Sequence, residues 1–222
     1  MRRINVLRCI QRQTDMKPVI ILGAGGHATV LLDILQLLGR EIQGICDPKL
    51  ELGSAVKGIP IVSEMELERN APNDIELVNT IGSVRSLELR IKIFEKYKQL
   101  GYTFASVIHP TAILAKEISL GEGVQIMAGA IIQPKASIGD NTIVNTRAVV
   151  EHDCDIGSSV HVAPGVILCG GVRVGEGTHI GVGAVIIQNI CIGKGALIGA
   201  NTTVLKDVSD RQRVITRKQE II

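Results

Sequence analysis

The chain has 222 residues, of which 45% are hydrophobic and 2% aromatic, with 24 glycines, no tryptophan and a formal net charge of +2. This balanced charge argues against a nucleic-acid-binding surface, which would need a strong basic excess. No apolar run reaches the roughly 18 residues of a membrane-spanning helix, so we expect no membrane span. All aromatic residues lie between Phe94 and Phe104, so the second half must build its core from aliphatic side chains.

The N-terminus and the cysteines indicate a cytoplasmic protein. Residues 1–16 form a predicted N-terminal extension that is basic but lacks the apolar segment of a secretory signal peptide. The five cysteines follow neither a CxxC nor a zinc-binding spacing. We therefore expect reduced thiols, no metal site and a cytoplasmic location.

Residues 17–106 alternate strand-like and helix-like segments. Short apolar runs bounded by turn residues predict strands, and longer segments with helical spacing predict helices. The predicted elements are a strand at 18–22, a helix at 28–38, strands at 41–46, 59–62 and 75–80, and a helix at 84–100 capped by Ser83. This alternating order predicts a Rossmann-like α/β domain with a parallel sheet and nucleotide-binding loops.

A glycine-rich loop follows the first predicted strand. Gly23, Gly25, Gly26 and His27 belong to the sequence GAGGH, in which small residues free backbone N–H groups to face a phosphate at the start of a helix. Asp47 ends the second predicted strand, where an acidic side chain meets a ribose hydroxyl in dinucleotide-binding folds. We expect phosphate or nucleotide binding at this loop, and a tight turn without a ligand is the alternative.

The second half is a six-residue repeat. Every sixth residue from Ile108 to Val204 is Ile, Leu or Val, and the residue four places after each of them is small or β-branched. This pattern predicts a parallel β-helix over residues 107–209, followed by a C-terminal tail at 210–222. Hexapeptide β-helices are left-handed as a class, and a flat prism face suits self-association. We therefore expect a left-handed β-helix that assembles as a homotrimer.

His152 is the strongest candidate for acid–base chemistry. It lies between Glu151 and Asp153, at a position of its hexad that does not point into the β-helix. A neutral histidine beside carboxylates is suited to act as a general base, because a carboxylate orients the ring and stabilises its protonated form. The alternative is a surface histidine in an acidic patch.

Two further histidines share one column of the predicted β-helix. His161 and His179 are 18 residues apart, so they should stack in successive coils. The column continues with Ile143 and Leu197, so no third metal ligand is expected. We expect His161 to donate a hydrogen bond in a site and His179 to be structural. Cys154 occupies an inward position, which argues against a nucleophilic role for its thiol.

Together these motifs resemble the NeuD/PglD-type bacterial sugar acyltransferases, a sialic acid O-acyltransferase-like family of the left-handed β-helix superfamily. The resemblance extends over nearly the whole chain, from about residue 17 to residue 208. It is carried by ILGAGGH at 21–27, the Asp47-Pro48 turn, VNT at 144–146 and VEHDCDIG at 150–157.

The resemblance implies a homotrimer that binds acetyl-CoA in a groove between adjacent β-helices. It implies that His152 is the general base and that Asp153 orients it. It implies that a nucleotide amino sugar is bound by Gly23, Gly25, Gly26, His27, Asp47, Asn145 and Glu151. The residues that it assigns to acetyl-CoA are His161, Gly170, Gly171 and His179, with the Gly170 amide facing the thioester.

The activity implied by the resemblance is N-acetylation of a nucleotide-activated 4-amino sugar by direct transfer from acetyl-CoA, for surface glycan or glycoprotein biosynthesis. Two alternatives stay open: O-acetylation of a sialic-acid-like or other sugar hydroxyl, and a non-catalytic protein that binds a nucleotide sugar. The C-terminal end departs from the family, because it has no Asn-Pro-Ala segment and continues as a basic tail. Its cations either meet CoA phosphates or are solvated; they are Arg211, Arg213, Arg217 and Lys218.

Overall fold

The structure is a computed structural model that describes residues 16–83 and 86–215. An α/β sheet is followed by a solenoid of short parallel strands stacked in three sheets. This architecture confirms the predicted fold class, a Rossmann-like domain followed by a β-helix of hexapeptide repeats. The expected N-terminal extension lies outside the described residues except for Met16.

The N-terminal domain is built around a short parallel sheet. Its elements are β1 (Val19–Leu22), α1 (Gly26–Leu37), β2 (Ile42–Cys46), β3 (Ala55–Val56), β4 (Ile59–Pro60), α2 (Glu64–Glu68), β5 (Glu76–Asn79), α3 (Glu88–Gln99) and β6 (Thr103–Phe104). Four parallel strands lie in the order β2-β1-β5-β6. Every residue of β1 is apolar and buried, as is typical of a parallel strand that is covered on both faces.

Two predicted elements of this domain differ in the structure. The strand predicted at 59–62 is divided in the structure: β4 pairs antiparallel with β3, and Ile61 forms an isolated parallel bridge with Ile45 of β2. The helix predicted at 84–100 begins at Glu88, with Leu87 as its N-cap, and Ser86 Oγ accepts the Glu88 N–H at 3.0 Å. The prediction that Ser83 caps this helix is therefore wrong.

The second half consists of strands of two residues each. They are β7 (Val107–Ile108), β8 (Ile113–Leu114), β9 (Ser119–Leu120), β10 (Gln125–Ile126), β11 (Ile131–Ile132), β12 (Ser137–Ile138), β13 (Ile143–Val144), β14 (Val149–Val150), β15 (Asp155–Ile156), β16 (His161–Val162), β17 (Ile167–Leu168), β18 (Arg173–Val174), β19 (His179–Ile180), β20 (Val185–Ile186), β21 (Cys191–Ile192), β22 (Leu197–Ile198), β23 (Thr203–Val204) and β24 (Arg213–Val214). From β7 to β20, each strand pairs in parallel with one 18 residues further on, as Ile126 does with Val144, so three hexads make one coil. The last pair, β22 with β24, is offset by 16 residues.

The coils stack into a prism with three faces. Face 1 contains β7, β10, β13, β16, β19, β22 and β24; face 2 contains β8, β11, β14, β17, β20 and β23; face 3 contains β9, β12, β15, β18 and β21. Because β24 joins face 1, the solenoid continues past residue 209, where we had expected it to end, and takes in part of the predicted tail. Residues 216–222 of that tail lie outside the described part of the chain.

The interior of the prism is filled by the aliphatic residues of the repeat. Ile126, Val144 and Val162 are fully buried in one column, and the cluster contains no aromatic side chain. The corners adopt left-handed backbone conformations, which glycine, asparagine and aspartate tolerate best; Asn141 and Asp153 have φ values of 57° and 58°. The repeat therefore accounts for both the aliphatic and the glycine-rich composition.

A buried polar network joins α3 to face 1. Arg90 is fully buried; its Nε donates to the Asn141 carbonyl at 3.0 Å, and its Nη1 donates to the carbonyls of Asn79 at 2.8 Å and Ile81 at 2.9 Å. Gln125 Nε2 also donates to the Asn79 carbonyl, at 2.7 Å. Burial lowers the pKa of Arg90 to about 9. These bonds hold the loop that follows β5 against the β-helix.

Candidate active site

The glycine-rich loop joins β1 to α1 and is open to solvent. Gly23 has a φ of +101°, and a Cβ there would lie 2.6 Å from Ile81 Cδ1, so this position requires glycine. The helix begins at Gly26, and its N-cap Gly25 has no side chain that could bond the first-turn N–H groups. A Cβ at Gly25 or Gly26 would meet nothing within 4 Å. The N-terminus of α1 is therefore an accessible site for an anion.

Asp47 and His27 each make a fixed contact beside this loop. Asp47 accepts the Ala24 N–H at 2.8 Å and the Lys49 N–H at 2.9 Å, so its carboxylate holds the loop in shape. His27 Nε2 lies 2.8 Å from Gln125 Oε1 on face 1. Because the Gln125 amide nitrogen already donates to a carbonyl, its Oε1 accepts from His27. The His27 side chain therefore bonds the β-helix, and its backbone N–H belongs to the anion site.

His152 and Asp153, which we call the corner pair, lie on the turn from β14 to β15, between faces 2 and 3. His152 Nδ1 lies 2.7 Å from Asp153 Oδ2, and the two side chains are 63% and 54% exposed. The carboxylate accepts the Nδ1–H and leaves the Nε2 lone pair free, which is the arrangement of a general base. Glu151 precedes the pair and is half-buried.

Gly170 lies against the imidazole of the corner pair, one coil further on. A Cβ at this position would lie 2.6 Å from His152 Cε1 and 2.7 Å from its Nε2. Gly171 has a φ of +72° and donates its N–H to the His152 carbonyl at 2.9 Å. Within the described chain, the Gly170 N–H has no hydrogen-bond partner. A free N–H beside a general base can stabilise an oxyanion.

Ser83, Asn145, His161 and His179, which we call the junction cluster, lie where the loop after β5 meets face 1. Ser83 Oγ is hydrogen-bonded to His161 Nδ1 and, at 3.1 Å, to His179 Nδ1. Asn145 Nδ2 lies 3.1 Å from His161 Nε2. The two imidazoles stack edge to face with centroids 5.1 Å apart, in the stacked arrangement that their spacing predicted. Both nitrogens of His161 are therefore occupied.

Burial holds His27 and the two histidines of the junction cluster in their neutral form. It lowers the pKa of His161 to about 3, with a smaller contribution from His179. It lowers the pKa of His27 to about 4, against the opposing effect of the Gln125 hydrogen bond, and it also lowers the pKa of His179. These rings form hydrogen bonds but carry no charge near neutral pH. Burial raises the pKa of the Cys154 thiol to about 11, which argues against a nucleophilic role.

A cavity of about 910 Å³ opens beside the junction cluster. Ser83 and His179 line it, together with Ile91 of α3 and the C-terminal coils. The cationic side chains of Arg211 and Arg213 also line it. A second cavity, of about 940 Å³, contains none of the predicted site residues. The first cavity is therefore the candidate ligand site.

Over residues 16–83 and 86–215, no cluster of three or more His, Cys, Asp or Glu side chains is placed to hold a metal ion. In that same portion of the chain, no helix has both the length and the apolar character needed to cross a membrane. The four cysteines that fall within it are free thiols.

The two halves of the chain match two known sequence families. The family described as the PglD N-terminal domain matches residues 18–97. The family described as bacterial transferase hexapeptide, with six repeats, matches residues 117–152. A search of curated proteins finds no match.

Solved structures match nearly the whole chain. PerB from Caulobacter crescentus, in complex with CoA and GDP-perosamine, is 37% identical with a TM-score of 0.82, and the match covers 90% of this chain and 94% of PerB. The chain belongs to the PglD-type sugar acyltransferases. The acetyltransferase domain of PglB from Neisseria gonorrhoeae, in complex with acetyl coenzyme A, is 29% identical with a TM-score of 0.84, over 93% of this chain and all of that domain. The left-handed β-helix is thus confirmed together with the family.

In this acyltransferase the predicted site residues form two separate groups. The corner pair and Gly170 lie between faces 2 and 3, whereas the junction cluster and the glycine-rich loop lie against face 1. Among the described residues, no hydrogen bond connects one group to the other. A single copy of the chain therefore presents the two groups of candidate site residues on different sides of the prism.

The sequence did not predict the junction roles of three residues of this acyltransferase. They are Ser83, which was expected to cap a helix, Arg90 and Gln125. Arg90 has the spacing of a charged residue on a helix surface but is fully buried. One pattern in the sequence could have predicted the junction. Gln125, His161 and His179 occupy the same outward position of the repeat, in one column of face 1. Polar residues in that column mark where the N-terminal domain packs on the β-helix.

Proposed function

We propose that this acyltransferase moves an acetyl group from acetyl-CoA to the amino group of a nucleotide-activated 4-amino sugar. The observation that carries the proposal is the corner pair, a histidine with one nitrogen bonded to a carboxylate at 2.7 Å and the other nitrogen free. The complexes of PerB with CoA and GDP-perosamine and of the PglB domain with acetyl-CoA support the two substrates.

The corner pair would supply the proton transfer. His152 Nε2 takes a proton from the sugar amine as the nitrogen attacks the thioester carbonyl, and Asp153 stabilises the imidazolium that forms. The Gly170 N–H donates to the oxyanion of the tetrahedral intermediate. The C–N bond forms, the C–S bond breaks, and the CoA thiolate leaves with the proton returned by His152. The products are the N-acetylated sugar and free CoA.

The glycine-rich loop would hold the nucleotide sugar. The N-terminus of α1 presents unpaired N–H groups and the positive end of the helix dipole to the diphosphate. Asp47, which already orders the loop through the Ala24 N–H, would accept from a ribose hydroxyl. His27 contributes its backbone N–H, since its ring is neutral and bonded to Gln125.

The complete site would form between copies in a homotrimer. Face 2 carries an outward column of aliphatic residues: Ile113, Ile131, Val149, Ile167 and Val185. Ile113 and Ile167 are 61% and 40% exposed in the single chain. A stripe of this kind is suited to an apolar interface. Packing of these faces would bring the corner pair of one copy towards the junction cluster of the next, with acetyl-CoA in the groove between them.

The 910 Å³ cavity would take part of acetyl-CoA. Its lining includes Lys194, Arg211 and Arg213, which would meet the phosphates of the cofactor. Both substrates are cytoplasmic metabolites, so we place the reaction in the cytoplasm, in the assembly of a surface glycan or glycoprotein.

The proposal is tested by the release of free CoA thiol from acetyl-CoA in the presence of UDP-, GDP- and dTDP-linked 4-amino sugars. Matched sugars that carry a hydroxyl in place of the amine are the control. We expect turnover with at least one amino sugar and none with its hydroxyl counterpart. Turnover with hydroxyl acceptors alone would show O-acetylation, and binding without any turnover would show a non-catalytic protein; either result contradicts the proposal.

A further inference from the structure

The hydrogen bonds of the junction cluster run in one direction. Asn145 Oδ1 accepts the Thr146 N–H at 2.7 Å, which fixes the orientation of its amide. Its Nδ2 therefore donates to His161 Nε2 at 3.1 Å. A neutral imidazole has one N–H and one acceptor nitrogen. His161 must carry its proton on Nδ1, where it donates to Ser83 Oγ.

Ser83 passes this direction on to the second histidine. Its hydroxyl has a single proton and already accepts from His161, so it donates to His179 Nδ1 at 3.1 Å. His179 is neutral and must then carry its proton on Nε2. Within the described chain, that N–H has no hydrogen-bond partner, and His179 lines the 910 Å³ cavity. The chain of bonds thus ends in one donor beside the cavity.

The position of Ser83 also connects this donor to the nucleotide loop. Ser83 follows Ile81 and Gly82, and Ile81 packs so closely on Gly23 that a Cβ there would clash. A Cβ on Gly82 would lie 3.6 Å from His27 Cβ. The same short loop therefore touches the proposed anion site on one side and the stacked histidines on the other.

We propose that Ser83 is a positioning residue that couples the tautomer of His179 to that of His161, which Asn145 sets, so that His179 Nε2–H donates to an amide carbonyl on the pantetheine arm of the acyl donor. This inference rests on the proposed function for the identity of the donor. The assignment of the two tautomers does not depend on it. Without the Ser83 hydroxyl, His179 is free to move its proton to Nδ1. Its Nε2 would then present a lone pair to the carbonyl oxygen, which has no hydrogen to donate, and the hydrogen bond would be lost.

The first test is NMR of imidazole nitrogens in protein labelled with ¹⁵N-histidine, comparing the wild type with Ser83→Ala. We expect the wild type to show His161 protonated on Nδ1 and His179 on Nε2, and Ser83→Ala to keep the His161 tautomer, which Asn145 holds, but to lose that of His179. The second measurement is CoA binding by calorimetry, where we expect Kd to rise about tenfold, the effect of one lost hydrogen bond. Neither measurement needs turnover, so failure of the proposed activity is distinguished from failure of this inference.

Two variants control for folding. Ser159→Ala removes another buried serine hydroxyl, which accepts from Asn141, and should leave both tautomers and the CoA affinity unchanged. Ser83→Thr keeps the hydroxyl and should retain both. A wild-type His179 tautomer in Ser83→Ala would overturn the role of Ser83. An altered His179 tautomer with unchanged CoA affinity would overturn the role of His179 as a donor to the cofactor.

Discussion

The corner pair and the junction cluster contain the same residue type in opposite surroundings. His152 is 63% exposed and bonded to a carboxylate, whereas His161 and His179 lie under the N-terminal domain and share a serine hydroxyl. Burial without a counter-ion disfavours the protonated imidazole. The first region therefore offers an exposed imidazole nitrogen to a ligand, whereas the second holds its imidazoles neutral and hydrogen-bonded.

The same comparison explains why the two regions lie on different elements. A group that exchanges protons with a substrate needs access, which the turn between faces 2 and 3 provides. Neutral, fixed imidazoles need burial and a hydrogen-bond partner, and the loop after β5 provides the partner for His161 through Ser83. The proposed function requires both, so alterations in the two regions should impair it in different ways.

The largest effect is expected when the two regions can no longer meet. In Ile167→Glu, a charge replaces an aliphatic residue in the outward column of face 2, and burying an unpaired charge at an interface is prohibitive. We expect a monomer by light scattering and no detectable CoA release. Arg173→Glu places the same residue on face 3 and should remain trimeric and active. A trimeric or fully active Ile167→Glu would contradict assembly of the site through face 2.

Removal of the proposed base should have the next largest effect. His152→Ala should lower kcat by roughly 10²–10⁴, the usual contribution of a general base. The CoA affinity should stay unchanged, because the corner pair acts on the amine rather than on the cofactor. The measurement is steady-state CoA release together with calorimetric CoA binding.

The matched control for that variant is His109→Ala. His109 contacts Thr111 outside both regions, so this change should preserve kcat. Wild-type turnover in His152→Ala would remove the corner pair from the mechanism.

A smaller loss is expected from a methyl group placed against the base. In Gly170→Ala the new Cβ would lie 2.6 Å from His152 Cε1, so the imidazole must move away. We expect kcat to fall by about tenfold to hundredfold, the cost of a misplaced catalytic group, with little change in thermal stability. Gly165→Ala is the comparison: a Cβ there meets nothing within 4 Å, but φ is +68°, so this variant should lose stability through backbone strain while keeping its kcat. A normal kcat for Gly170→Ala would show that the position of this ring is unimportant.

The β-helix was predictable because the residues of its repeat are the ones that pack inside the prism. Each inward position needs an aliphatic or small residue, so the spacing from Ile108 to Val204 is enough to assign the register. The outward position of His152 beside two carboxylates followed from that register. The separation of the two groups of site residues also follows from it, once the faces are assigned.

The junction was not predictable in the same way. Arg90, Gln125 and Ser83 acquire their roles only when the N-terminal domain packs on face 1, which no local spacing records. Ser83 stands before a helical segment, as a cap would, but its hydroxyl bonds two histidines that lie 78 and 96 residues away in the chain. Long-range partners of this kind override local capping preferences.

The smallest predicted effect concerns the contribution of His27 and His161 to the pH dependence of folding stability. The pKa of His27 is lowered to about 4 and that of His161 to about 3, against about 6.5 in an unfolded chain. Below pH 6.5 the unfolded chain therefore binds protons that the folded chain does not. Stability from these residues is present in full above about pH 6.5 and is lost as the pH falls towards 4. The depressed pKa of each histidine should lower the free energy of unfolding by about 1–2 kcal/mol between pH 7 and pH 5.

His27→Gln should flatten this dependence by that amount, because glutamine takes up no proton in either state. The measurement is urea unfolding at pH 7 and pH 5 at one fixed protein concentration, since assembly makes stability depend on concentration. His109→Gln provides the same substitution outside the junction. An unchanged pH dependence in His27→Gln would mean that His27 is protonated in the folded protein. That result would remove the contrast between buried, neutral histidines and the exposed corner pair.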